Sequence, residues 1–144
     1  MQVKAPASVA PAARQGTGLL VLGDSISAAY GIDKSKGWVA LLEKALEVDC
    51  PGFTVQNASL SGETTAGGVT RLPGLLARWQ PRIVVIELGG NDGLRGLSPG
   101  QMERNLVTMV RATRAAGAEP VVLGILIPPN YGEAYSKLFE QAMR

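Results

Sequence analysis

"GLLVLGDSIS", residues 18 to 27, decides the fold. Its first half, Leu19 to Leu22, is a short unbroken apolar run. That pattern predicts a strand covered on both faces. Its second half, Gly23-Asp24-Ser25, is a small polar turn that presents a serine directly after the strand, with Ser25 expected to open a helical segment. Working outward, Trp38, Leu41, Leu42, Ala45 and Leu46 lie on one face of a helical stretch. Phe53-Thr54-Val55 is a second strand that ends near Asn57. Val69, Leu72, Leu76 and Trp79 then recur at spacings of three and four, which is helical. Pro73 predicts a kink or a restart within that helix, and Pro81 marks its end. In "RIVVIELGG", residues 82 to 90, Ile83 to Ile86 are all β-branched, which predicts a third strand.

Ser98, Pro99 and Gln101 predict the capped start of another helix, with a capping box. Met102, Leu106, Met109 and Val110 form its apolar face, and Gly117 suits its C-terminus. "PVVLGILI", residues 120 to 127, reads as a fourth strand. Tyr131, Tyr135, Leu138, Phe139 and Ala142 begin a fourth helix. Continuous apolar strands alternating with amphipathic helices mean an α/β fold with a parallel sheet. Residues 1 to 18 are rich in Ala and Pro and have no apolar signal segment, so they predict a flexible leader before one domain spanning 19–144.

Composition narrows the function. The 144 residues carry a net charge of +2, with 46% hydrophobic and 18% charged residues, and the 14 basic side chains are scattered. This is a globular composition without the basic stripe that nucleic acid requires. No apolar run reaches the length of a membrane span. One cysteine, Cys50, and no histidine leave neither a disulfide nor a structural zinc site within these residues. No metal and no organic cofactor is implied. The oligomeric state is left open.

In open parallel sheets, ligands bind beyond the carboxyl ends of the strands. Three small polar segments occupy those positions: Gly23-Asp24-Ser25, "NASLSGETT" at 57–65, and "GGNDG" at 89–93. Singly, each reads as a cap, a turn or a loop. Together they suit acyl transfer. A serine attack creates an oxyanion, and preorganised donors must await it. The backbone N–H groups of Ser25 and Gly62 and the Asn91 amide are candidate donors. Asp24 and Asp92 are read as supporting carboxylates that fix their own loops. Glu87, within a buried strand, reads as a structural carboxylate, and Glu63 as the freest to move. Ile26, Ala28, Ala29, Leu60 and Leu94 either line an acyl groove or pack on the sheet. A nucleotide site is disfavoured, because G-D-S-I-S lacks the glycine spacing of a phosphate loop.

On these segments the chain resembles the SGNH (GDSL) hydrolases. "GDSIS" matches their first block, "NASLSGETT" the second and "GGNDG" the third. The likeness continues through "RLPGLLARWQPRIVVIELGGNDGLRG" and "IPPNYG", and looks closest to the bacterial arylesterase, acyl-CoA thioesterase and lysophospholipase branch. It implies a three-layer, flavodoxin-like α/β/α fold, here lacking the last strand and helix. It implies Ser25 as nucleophile, with Gly62 and Asn91 as oxyanion donors. It implies small acyl esters, thioesters or lysophospholipids as substrates, and a periplasmic or secreted setting. The family's fourth block, Asp-x-x-His, supplies the base and is not among these residues. The chain is therefore expected to be a nearly inactive, poorly soluble part of such an enzyme. The alternative is a non-catalytic acyl- or carboxylate-binding domain on the same fold.

Overall fold

The computed structural model describes residues 18–125 and 132–144. The expected leader lies outside these residues, apart from Gly18, as do residues 126–127 of the expected fourth strand and Tyr131; that strand stops at Val122, short of residues 123–125. Four strands are formed: β1 (Gly18–Gly23), β2 (Thr54–Asn57), β3 (Ile83–Glu87) and β4 (Glu119–Val122). They make one parallel sheet in the order β2-β1-β3-β4. β1 and β3 are central, and they read as continuous apolar runs because both of their faces are covered.

Helices form both outer layers. α1 (Trp38–Asp49) covers one face, where Val39 closes over Leu19, Val21 and Val85. On the other face lie α2 (Thr65–Trp79), α4 (Pro99–Ala115) and α5 (Glu133–Met143), with the short α3 (Gly90–Leu94) at the sheet's end. There Leu20, Leu22, Val84 and Ile86 meet Leu72 and Leu76 of α2, Met102, Leu106 and Met109 of α4, and Phe139 of α5. The result is the expected three-layer α/β/α arrangement.

Several local expectations are met in detail. Ser98 caps α4 by accepting from the Gln101 N–H at 3.2 Å. At the other end of α4 the Ala118 N–H reaches the Thr113 carbonyl and the Gly117 N–H that of Arg114. That pair is a Schellman closure. Others are corrected. The Gln101 side chain bonds Asn105 and Arg104 rather than turning back to the cap, so the capping box is half formed. Pro73 does not restart a helix: α2 runs through it from Thr65 to Trp79. Pro73 itself is exposed, while Leu72 and Leu76 on either side hold the helix to the core. On α1, Leu41 is exposed, and Val39 takes the buried place.

Candidate active site

The sheet directs three segments to one edge. Each follows a parallel strand, so each leaves from the same end. Hydrogen bonds then knit them together. The Leu60 N–H donates to the Gly23 carbonyl at 3.0 Å, and the Ala58 N–H to that of Val21 at 2.8 Å. The Asn91 amide donates to the Glu63 carbonyl at 2.9 Å, and Arg95 donates to the Gly62 carbonyl at 3.2 Å. Ser25, Gly62 and Asn91 thus stand on loops that are bonded to one another. Ser25 and Asn91 are half-buried and Gly62 is exposed.

The serine loop differs from expectation. Residues 24 to 31 form successive turns rather than the start of a helix, and the next regular element is a 3-10 turn at Lys34–Lys36. Its bonds run from the Ala28 N–H to the Asp24 carbonyl and from the Tyr30 N–H to the Ser25 carbonyl. Ala29 sits at φ 59°, a left-handed conformation that costs a non-glycine residue about 1 kcal/mol. The loop is therefore held by its neighbours rather than by helical propagation. Gly23 shows how closely. A Cβ there would lie 2.5 Å from the Ser27 hydroxyl oxygen and 2.8 Å from Glu87 Oε1, so no larger residue fits. Gly62 is required for a different reason. Its φ is 82°, and a Cβ there would meet only the Arg95 side chain, at an ordinary 3.9 Å. Among the described residues, no protein acceptor takes the N–H of Ser25 or of Gly62.

The carboxylates near the site are all engaged. Asp24 is buried and caps its own loop by accepting from the Ile26 N–H at 3.0 Å. Asp92 is buried and braces two segments at once. It accepts from the Thr65 N–H at 2.9 Å and the Thr65 hydroxyl at 2.6 Å, at the N-terminus of α2, where the helix dipole favours a negative charge. Glu63, expected to move freely, is instead paired with Arg71 at 3.0 Å. Arg71 also donates to the Ala58 carbonyl at 2.6 Å, so one guanidinium fixes both ends of the Gly62 loop. Glu87 accepts from the Ser27 hydroxyl at 2.6 Å, and its carboxyl is pushed up to about 7, chiefly by burial. None of these four carboxylates accepts a hydrogen bond from Ser25.

The "GGNDG" segment, read as a loop, is largely the single helical turn α3, with Asn91 and Asp92 inside it. Tyr135 of α5 secures its end by donating to the Leu97 carbonyl at 2.5 Å, and burial pushes the phenol above its usual range. Sequence reasoning missed Arg71, Thr65, Ser27, Trp38 and Tyr135 as supports. All act between different segments, at separations of eight residues or more, which periodicity does not report. The five apolar loop residues resolve unevenly: Ile26, Leu60 and Leu94 are exposed at this edge, and Ala28 and Ala29 line a groove of about 310 Å3 between the serine loop and α1.

The comparisons agree with this geometry. Residues 21–144 match the model of the GDSL-like Lipase/Acylhydrolase family. The chain is 57% identical over 123 residues to Esterase TesA of Pseudomonas aeruginosa, covering 85% of this chain and 61% of that protein. It is 47% identical over 121 residues to Thioesterase 1/protease 1/lysophospholipase L1 of Escherichia coli K12, covering 84% and 57%. The crystal structure of a psychrotrophic esterase, EstA from Pseudoalteromonas sp., inhibited by monoethylphosphonate, superposes with a TM-score of 0.83 at 44% identity, covering 88% of this chain and 69% of that one. The chain spans about three fifths of the length of the curated relatives it matches. On its sequence, its sheet and its three converging segments, the chain belongs to the GDSL-like lipase/acylhydrolase family.

Proposed function

We propose that this chain carries the nucleophile and oxyanion half of a serine hydrolase acting on carboxylic esters or thioesters. The observation that supports the reading is that the segments carrying Ser25, Gly62 and Asn91 are hydrogen-bonded together at one sheet edge, with two backbone N–H groups there that no described residue takes. The Ser25 hydroxyl oxygen attacks the acyl carbonyl carbon, and the carbonyl oxygen takes up the negative charge. The N–H groups of Ser25 and Gly62 and the second hydrogen of the Asn91 amide are its donors. The first hydrogen of that amide is spent on Glu63, which fixes its aim. Each donor of this kind is worth about a hundred- to a thousand-fold in rate. Esterase, thioesterase and lysophospholipase names among the relatives support small acyl or aryl esters, acyl thioesters and lysophospholipids as substrates. Exposed Ile26, Leu60 and Leu94 suit an acyl chain at the same edge.

The proton of Ser25 needs a base, and these 144 residues contain no histidine. The nearby carboxylates are held by other donors. Loss of the base from a triad costs about a million-fold in turnover, while the oxyanion hole and binding retain about a thousand-fold over water. Purified 144-residue protein is therefore expected to hydrolyse p-nitrophenyl butyrate only marginally above background, with little further loss in Ser25→Ala. Turnover matching that of a full-length relative, and abolished by Ser25→Ala, would contradict this and identify a substitute base within the chain.

The lack of histidine also supports a second reading, a binding domain that holds acyl groups or carboxylates without turnover. Saturable binding of butyrate that is weakened by Asn91→Ala would support it.

A further inference from the structure

Beneath the serine loop lies a buried polar chain that the hydrolytic chemistry does not use. The Trp38 indole N–H donates to the Ser27 hydroxyl oxygen at 3.0 Å. An indole nitrogen only donates, so the Ser27 oxygen is the acceptor there, and its own hydrogen is free to point elsewhere. It points to Glu87 Oε1, at 2.6 Å. The same oxygen lies 3.4 Å from the Asp24 N–H. The Asn57 amide holds the Ser27 carbonyl at 2.8 Å. Ser27, two residues beyond Ser25, therefore ties the loop to β3, to α1 and to the end of β2.

The direction of the chain constrains the protonation state of Glu87. Oε1 already receives the Ser27 hydrogen, so a proton on the carboxyl resides on Oε2. Oε2 is buried and has no hydrogen-bond partner among the described residues. Glu87 itself is 4% exposed. A bare anionic oxygen in that place costs far more than a neutral hydroxyl. Among the groups that face Glu87, Asp24 beyond β1 is the one that carries charge, and it is of like sign. α1 contributes Trp38 and β2 contributes Asn57, both neutral.

We propose that Glu87 is a positioning residue for Ser25, acting through Ser27 as a neutral carboxylic acid whose ionisation loosens the serine loop. The idea rests on Ser25 being the nucleophile. The Trp38–Ser27–Glu87 chain stands without that reading, and its test needs no turnover. When the proton leaves Oε2, a buried carboxylate with one oxygen that no described residue donates to faces Asp24. The relaxed arrangement lets water in, and Ser27 and Asp24 move with it. Gly23 leaves little slack, since even a Cβ there would collide with both Ser27 and Glu87.

Trp38 reports on the chain directly. The protein has two tryptophans, so Trp79→Phe leaves Trp38 as the single indole, whose emission is excited selectively to the red of the three tyrosines. In that background the indole emission is titrated from about pH 5 to about pH 9, a span that crosses the range of a buried carboxyl. The expected result is a red shift on raising the pH, with a midpoint near 7. Glu87→Gln, which keeps a neutral side chain of the same shape, is expected to hold the emission at its low-pH position throughout. Ser27→Ala leaves Glu87 in place but cuts the indole from it, and is expected to abolish the shift as well. An emission that does not titrate in folded protein overturns the proposal. So does a shift that survives in either variant. If Glu87→Gln fails to fold, the Ser27→Ala titration decides alone. Hydrolytic failure of the chain leaves all of these outcomes readable.

Discussion

The serine loop and the Gly62 loop face each other across one edge and are held by opposite kinds of interaction. The serine loop is anchored inward, through Ser27 and Asp24, on a buried carboxyl that sits most easily without its charge. The Gly62 loop is anchored sideways, by a half-buried ion pair between Arg71 and Glu63 and by the Asn91 amide. The reason lies in what each must deliver. A nucleophile needs its backbone fixed against the sheet, where water is absent and charge is costly. A backbone donor at an exposed glycine must stay open to substrate, and charged partners tolerate that setting. Asp92 joins the two regimes, since it sits beside Asn91 and bonds the first residue of α2.

The largest expected break in this contrast is removal of that joint. Asp92→Ala strips the buried Thr65 N–H and hydroxyl of their acceptor at once. Two hydrogen bonds to a charged group are worth about 4 kcal/mol together. Urea unfolding of the variant against the parent measures it, and a loss below about 1 kcal/mol would show that water replaces the carboxylate freely.

A smaller effect separates the two loops by pH. Glu87 is raised from 4.5 to about 7 in the folded chain, so the folded state binds the extra proton between those values. Stability is then complete below the unfolded value and is lost as pH rises through 7. At about 1.4 kcal/mol per unit, the loss amounts to about 3 kcal/mol. Relative to Glu87→Gln, the parent should weaken steadily over that window. Arg71→Ala, by contrast, removes a half-buried ion pair and should cost about 1 kcal/mol, with no step in that cost near pH 7. A pH-dependent Arg71 effect of equal size would erase the distinction.

Much of this was legible in the residues. The strands were, because Leu19 to Leu22 and Ile83 to Ile86 are apolar without alternation, and burial on both faces leaves that mark. The three segments were, because loops at strand ends must be small and polar to host a ligand. The helix through Pro73 was not, since the local penalty was outweighed by Leu72 and Leu76 in the core. The turns after Ser25 were misread because Ile26, Ala28 and Ala29 suit a helix. What overrides them is the bonding of Ser27 to Glu87, 60 residues away. Arg71 was hidden for the same reason: its partners, Glu63 and Ala58, belong to a different segment.

The central claim is that Ser25, Gly62 and Asn91 hold one tetrahedral adduct between them. A p-nitrophenyl phosphonate ester forms such an adduct irreversibly, and mass spectrometry of the digested protein locates it. The account predicts a slow label, for want of a base, that is confined to Ser25 and forms about a hundred-fold or more faster in the parent than in Asn91→Ala. A label spread over other hydroxyls, or a Ser25 rate that Asn91→Ala leaves unchanged, would contradict it.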